Sequence, residues 1–292
     1  MIKESRGDRI FKTCVILIVI LIAFLCLMPF LNIVSISMSS KNAVLAGEVY
    51  FWPKDLDFSA YSVVFTNAKM WRSLFFTIVL TVVSVAVSMV MTILCAYPLA
   101  RTDLKFRQPL LLFFMFTMYF TGGMIPAYLN ISNLGLMGSF WSLVLPISIS
   151  TYNMILMKTF FGSLPKALEE SAYIDGANDA VILVRIILPL SKAMIATLAL
   201  FYAVSRWNGF SDALLYINDE DKYPLQLRLR QIITAYSAAD EMINDTPEAK
   251  AVLVADTIKS ACLVFSMVPI LLVYPWLQKY FVKGVMIGSV KG

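Results

Sequence analysis

The sequence predicts an all-α integral membrane protein with six membrane-spanning helices, and three observations carry that expectation. Of its 292 residues 59% are hydrophobic and its mean hydropathy is +0.77, far above the roughly 45–50% apolar content of soluble domains. Six apolar stretches are long enough to cross a bilayer, since about 20 residues rising ~1.5 Å each cover a hydrocarbon core of ~30 Å. Lys and Arg gather in the connections that six spans would place on one side.

The opening MIKESRGDRIFK carries Lys3, Arg6, Arg9 and Lys12 and leads into an apolar run over about 13–37. That run exceeds the apolar region of a secretory signal and no small-residue cleavage motif follows, so it reads as an uncleaved first span. Residues 39–69, with FWPKDLDFSAY, are mixed polar and aromatic and lie outside the bilayer. The second span covers about 72–100 and ends in RTDLKFR, where Arg101, Lys105 and Arg107 make a short basic loop. The third, about 109–129, contains Gly122-Gly123 and Pro126 and should be kinked or broken near its outer end. Further spans cover about 140–160, 180–204 and 258–277, with a long external loop at 207–257. An even number of spans puts both termini on one side. The N-terminal flank, the RTDLKFR loop and the tail with Lys279, Lys283 and Lys291 then become cytoplasmic together, while the Lys- and Arg-free connection NISNLGLMGS is external.

Composition also excludes functions. There is no histidine, which removes the commonest general base and a leading metal ligand, so neither a catalytic residue nor a metal site is expected. Cys14, Cys26, Cys95 and Cys262 lie in apolar runs without metal-site spacing and read as small hydrophobes. No basic stripe interleaved with aromatics suggests nucleic acid, and no G-x-x-x-x-G-K-[ST] nucleotide motif occurs.

One polar, helix-shaped stretch interrupts the hydrophobic chain: SLPKALEESAYIDGANDAVILVRIILP, from Ser163 to Pro189. Ser163 can cap a short helix with Pro165 tolerated in its first turn. Leu164, Ala167, Leu168, Ser171 and Ala172 share one face, Lys166 and Glu170 stand four apart on the other, and Asp175-Gly176 can end the helix. Read locally, this is a small docking helix or a solvated connector.

EESAYIDGA, at 169–177, followed by IILP at 186–189, resembles the EAA loop of ATP-binding-cassette importer permeases. Glu170-Ser171-Ala172 stands where that family has Glu-Ala-Ala, Ser171 being the one departure, and Asp175-Gly176 and Leu188-Pro189 stand where it has Asp-Gly and Leu-Pro. WNGFSDALLYINDEDKYPLQLRLRQ and QKYFVKGVMIGSVKG are similar to the carbohydrate-importer branch, in particular to the second maltose-permease subunit. The resemblance implies the type I importer fold with a short cytoplasmic coupling helix at about 163–179. It implies that Ala167, Glu169, Glu170, Ser171, Ala172, Asp175, Gly176 and Pro189 couple the chain to an ATPase. Small Ala167, Ser171 and Ala172 would let the partner approach, Glu170 would meet a cation on it, Gly176 would permit the turn, and Pro189 would bend the start of span five. The partners implied are a second permease subunit, two ATPase subunits holding ATP and Mg, an extracytoplasmic solute-binding protein, membrane lipid and a carbohydrate. No cofactor is expected on this chain.

Sugar contacts need rings that stack on pyranose faces and amides or hydroxyls that bond to hydroxyl groups. Tyr119, Tyr152, Asn153, Trp207 and Asn208 are the candidates, with Lys192 as an in-span charge. Packing or a place in an interfacial aromatic belt explains each of the rings equally well. A secondary transporter and an importer of a non-sugar solute are the alternative functions. Few intramembrane acids and no evident paired halves argue against the first.

Overall fold

The computed structural model describes residues 6–242 and 254–289. These form helices and turns, with an isolated bridge between Ser39 and Leu56. Stretches within α1 (Arg6–Ser37), α4 (Ala68–Ala100) and α14 (Val254–Ser289) are each long and apolar enough to cross a membrane. Three further crossings exist only as bent pairs: α5 (Arg107–Tyr119) with α6 (Met124–Asn133), Phe140–Ile147 with α7 (Thr151–Gly162), and Asp179–Leu190 with α11 (Lys192–Asn208). Their bends are 114°, 51° and 83°. Six spans are reached when each bent pair counts as one. The chain divides into two compact units, Met1–Trp71 with Leu229–Pro269, and Arg72–Arg228 with Ile270–Gly292.

In the first unit, α1 is apolar on every side and exposes Val15 to Leu27 almost without interruption, as a helix surrounded by lipid does. The segment expected merely to lie outside is folded against the end of α1. Ser37 and Tyr61 share a hydroxyl–hydroxyl bond of 2.8 Å. Ser39 Oγ donates to the Ser35 carbonyl at 2.6 Å and accepts the Lys54 N–H at 3.0 Å. Ser40 caps α2 (Lys41–Leu45), and Asp57 accepts the Ser59 N–H just inside α3 (Ser59–Thr66), which holds its carboxyl below the usual range. Phe265 lies edge-on to Phe65 and Trp71, with ring centroids 5.9 and 5.4 Å away.

The second unit is built along α4. Its first half joins a core cluster of Leu80, Ile131, Leu143, Tyr216 and Leu227, and its second half joins another of Met89, Ala96, Met157, Ile187 and Leu198. Leu80 and Leu99 are separated by about 28 Å at ~1.5 Å per residue, close to the thickness of a hydrocarbon core. Ser73, Thr77, Ser84, Ser88 and Thr92 are buried along α4 at multiples near one helical turn, and small side chains there let neighbouring backbones come close. Thr77 Oγ1 accepts the Leu225 N–H at 2.7 Å, bringing the start of α13 (Leu225–Met242) against this face.

Each break has an identifiable cause. Between α5 and α6 the chain turns at Gly123, whose φ of +86° suits glycine. Pro126 sits in the first turn of α6, where it does no damage, so the expected break comes from the glycines. The break in the fourth crossing was not expected. Ser150 caps α7, and Tyr202 Oη accepts its N–H at 3.2 Å. In the fifth, Leu183–Ile187 is a π-turn, Leu188–Leu190 follows, and the chain bends at Ser191. Proline lacks the N–H that an α-helix needs at that point, and Ser191 Oγ donates to the Ile187 carbonyl at 2.7 Å. The bend expected at Pro189 thus falls two residues later. The straight helix beyond it runs from Lys192 to Asn208, and with Asp179–Leu190 it covers the stretch read from sequence as the fifth span. The expected external loop contains α12 (Ser211–Tyr216) and α13, while 243–253 lie outside the described residues.

Candidate functional site

The polar stretch forms the nine-residue helix α8 (Lys166–Ile174). Ser163 does not start it: its hydroxyl donates to the Phe160 carbonyl at 2.7 Å and closes the end of α7 instead. The C-terminus is a two-bond reversal. The Ala177 N–H reaches the Ala172 carbonyl at 2.9 Å and the Gly176 N–H reaches the Tyr173 carbonyl at 3.0 Å, with Gly176 at φ +82°. This is the Schellman arrangement, and it requires a left-handed residue at that position. A Cβ on Gly176 would meet nothing within 4 Å, so the need for glycine is conformational rather than a matter of room.

The helix buries one residue and leaves most of the others exposed. Ala172 is 8% exposed and joins the core cluster around the second half of α4, with Leu164 and Ala177 packed against that cluster. Ala172 therefore faces this chain's own helices and does not offer the approach surface expected of it. Ala167, Glu170 and Ser171 are exposed, Glu169 is half-buried, and Asp175 and Gly176 are exposed in the turn. Pro189 is exposed just before the bend.

A feature that sequence reading missed ties this turn to α4. Arg101, immediately beyond α4, donates from Nε and Nη2 to the two oxygens of Asp103 at 3.1 and 2.9 Å. Its Nη1 donates to Tyr173 Oη and to Asp179 Oδ1, and the Tyr173 hydroxyl donates to the same carboxylate. The guanidinium carbon lies 5.2 Å from the centroid of the Tyr173 ring. Arg101 thus engages both sides of the turn at 175–178. Its bonds with Asp103 and Tyr173 hold the guanidinium more firmly protonated than usual, the same contact holds Asp103 below the ordinary carboxylate range, and partial burial followed by the bond to Asp179 pushes the Tyr173 phenol up. Beside it lies a cavity of about 650 Å³ whose mixed lining includes Arg107, Lys158, Lys166, Glu169 and Glu170.

The residues expected along a cargo path are not gathered into one site. Tyr119 and Tyr152 are 75% and 54% exposed and stand near the Thr117–Thr151 hydroxyl contact of 3.3 Å. Asn153 and Trp207 are buried within the chain and present no face to a cargo in this conformation. Lys192 begins α11, whereas Trp207 and Asn208 end it, about 22 Å away at ~1.5 Å per residue, so no single sugar ring reaches both. Asn208 is exposed but its amide donates to the Val204 carbonyl at 2.9 Å.

Broken spans packed around α4, with an exposed polar helix fastened at one end, are the build of a transport permease. Residues 68–287 match the Binding-protein-dependent transport system inner membrane component family, and the chain belongs to that family. It is therefore a membrane-embedded permease component. It is 41% identical to the polygalacturonan/rhamnogalacturonan transport system permease protein YtcP of Bacillus subtilis, over 98% of this chain and 99% of that protein. To protein LplC of the same species it is 44% identical, over 99% and 97%. Among solved structures, it superposes with a TM-score of 0.86 and 36% identity on a chain of a bacterial ABC transporter involved in the import of the acidic polysaccharide alginate, covering 96% of this chain and 100% of that one.

Proposed function

We propose that the chain is one of two permease subunits of an ATP-driven importer, and that its cargo is an acidic oligosaccharide. Carbohydrate import is supported by the relatives as a group. An acidic cargo is supported by the polygalacturonan/rhamnogalacturonan permease at 41% identity and the alginate importer at 36%; the arabinooligosaccharide and trehalose/maltose permeases stand at 26%. A transporter of alginate has also been solved with its pentasaccharide-bound periplasmic protein, and a binding protein is the proposed source of cargo here.

The observation that carries the coupling reading is the exposure of Ala167, Glu170 and Ser171 on a short helix that is anchored in the chain's own core through Ala172. Such a helix can enter a cleft on an ATPase subunit without losing its footing. Glu170 would meet a cation there, a contact that fixes register. ATP and Mg belong to two separate ATPase subunits, and this chain performs no catalysis. The end carrying Arg101, Arg107, Lys158 and Lys166 is then cytoplasmic, as are both termini.

Purification from native membranes tests this. The expected result is a stoichiometric assembly with a second permease and two ATPase subunits, in which Glu170→Lys keeps the protein in the membrane but severs ATP hydrolysis from uptake of an oligogalacturonate. A chain that transports by itself, or full uptake by the Glu170→Lys importer, overturns the proposal.

A further inference from the structure

We infer that Arg101 is a positioning residue that delivers movement of α8 directly to α4, with Tyr173 and Asp179 as its two grips; this rests on the coupling function proposed for α8. By chain connectivity alone, a displacement of α8 would run through the turn at 175–178, the π-turn at Leu183–Ile187 and the 83° bend before it reached the straight part of the fifth crossing. A π-turn and a bend are places where a helix yields, so that route is soft. Arg101 supplies a second, shorter one. It follows the last residue of α4, and its guanidinium holds Tyr173 at the end of α8 and Asp179 at the start of the next helix.

The geometry uses what is particular to arginine. Nε and Nη2 are committed to Asp103, which fixes the plane of the guanidinium and aims Nη1 at the other two partners. A planar fork makes these contacts together and an ammonium cannot. Ala172 belongs to the same core cluster as Ala96, Tyr97 and Leu99 of α4. The tether therefore acts between elements that share a core, and it resists rotation or lift that packing of a small alanine would permit.

The test uses the complete importer, with both permeases, the ATPase subunits and the binding protein, reconstituted in proteoliposomes with a labelled oligogalacturonate. Cargo delivered per ATP hydrolysed is the readout, because a defect of folding or assembly lowers both rates together and leaves the ratio in place. Arg101→Gln should lower the ratio about tenfold or more, Arg101→Lys should restore part of it, and Tyr173→Phe and Asp179→Asn should each lower it less. The last two keep the test open should Arg101→Gln fail to assemble. A wild-type ratio in assembled Arg101→Gln, or in both Tyr173→Phe and Asp179→Asn, overturns the inference. Glu170→Lys is measured alongside: if it lowers the ratio while the Arg101 set does not, the tether is wrong and the coupling function stands. If Glu170→Lys and the Arg101 set all keep the wild-type ratio, both fall.

Discussion

Arg206 grips the carboxylate of Asp212 with two hydrogen bonds, 2.6 and 3.0 Å long, while the same guanidinium donates to the Leu143 carbonyl at 2.9 Å. The arginine side chain is 2% exposed and the aspartate 23%. One charge pair thereby joins the end of α11, the start of α12 and the first turn of the broken fourth crossing. Gly209 lies between them, and a Cβ there would approach Arg206 Nη2 to 3.0 Å. Removing one member of such a pair leaves the other charge buried, and Asp212→Ala should cost about 3 kcal/mol. The Asp212→Ala protein should unfold several degrees lower than wild type in detergent; an unchanged midpoint would show that the pair contributes nothing to holding this corner.

At Gly176 the backbone, not the space around it, sets what is tolerated. With φ at +82° and open surroundings, Asn should be accepted better than Ala although it is larger, because Asn tolerates the left-handed region. Val should be worst, since a branched Cβ is most strained there. Uptake in the reconstituted importer should fall in the order Gly, Asn, Ala, Val. Finding Asn as damaging as Val would mean that a partner fills the space.

What the sequence made legible was local. Gly176 as a helix terminator and Gly123 as a break depend on a single φ value, and the residue type reports it directly. The face shared by Ala167, Ser171 and Ala172 was legible as a face, but periodicity does not say which edge of it turns inward, and Ala172 turned out to be core. Ser163 is next to two helix ends and serves the earlier one, whose open carbonyls compete for it. The two arginine hubs were not legible. Arg101 meets Tyr173 and Asp179 across 72 and 78 residues, and Arg206 meets Leu143 across 63, separations at which no spacing rule operates. The fourth crossing broke unexpectedly for the same reason, since its freed N–H at Ser150 is satisfied by Tyr202, 52 residues on.

The Arg101–Asp103 contact should be indifferent to physiological pH. Asp103 is depressed by its hydrogen bonds from Arg101, so its contribution is present above the ordinary carboxylate value of about 4 and is lost as pH falls through the lower folded value. Tyr173 is raised, so its contribution is present below about 10 and is lost as pH rises through the higher folded value. The difference in unfolding midpoint between wild type and Asp103→Asn should therefore be constant from about pH 5 to 9 and shrink below about pH 4. It should also be small, because Asp103 is 67% exposed and solvent screens the pair to about 1 kcal/mol or less. A difference that changes between pH 6 and 8 would point to another titrating group.

Tyr202 Oη sits where three elements meet: it shares a 2.7 Å hydroxyl bond with Thr92 of α4 and accepts the Ser150 N–H at the head of α7. Tyr202 and Thr92 are 8% and 0% exposed, so water does not readily replace either bond. Tyr202→Phe keeps the ring and its packing but orphans a backbone N–H and a threonine hydroxyl, at about 1–3 kcal/mol. Thr92→Val removes the second of those orphans, so in the double variant the phenylalanine should cost less than it does alone. Unfolding midpoints of the four proteins in the cycle should show a coupling of about 1 kcal/mol between the two sites. Strict additivity would mean that the hydroxyls do not act on one another. Any cost of Tyr202→Phe would then come from the Ser150 N–H at the 51° bend.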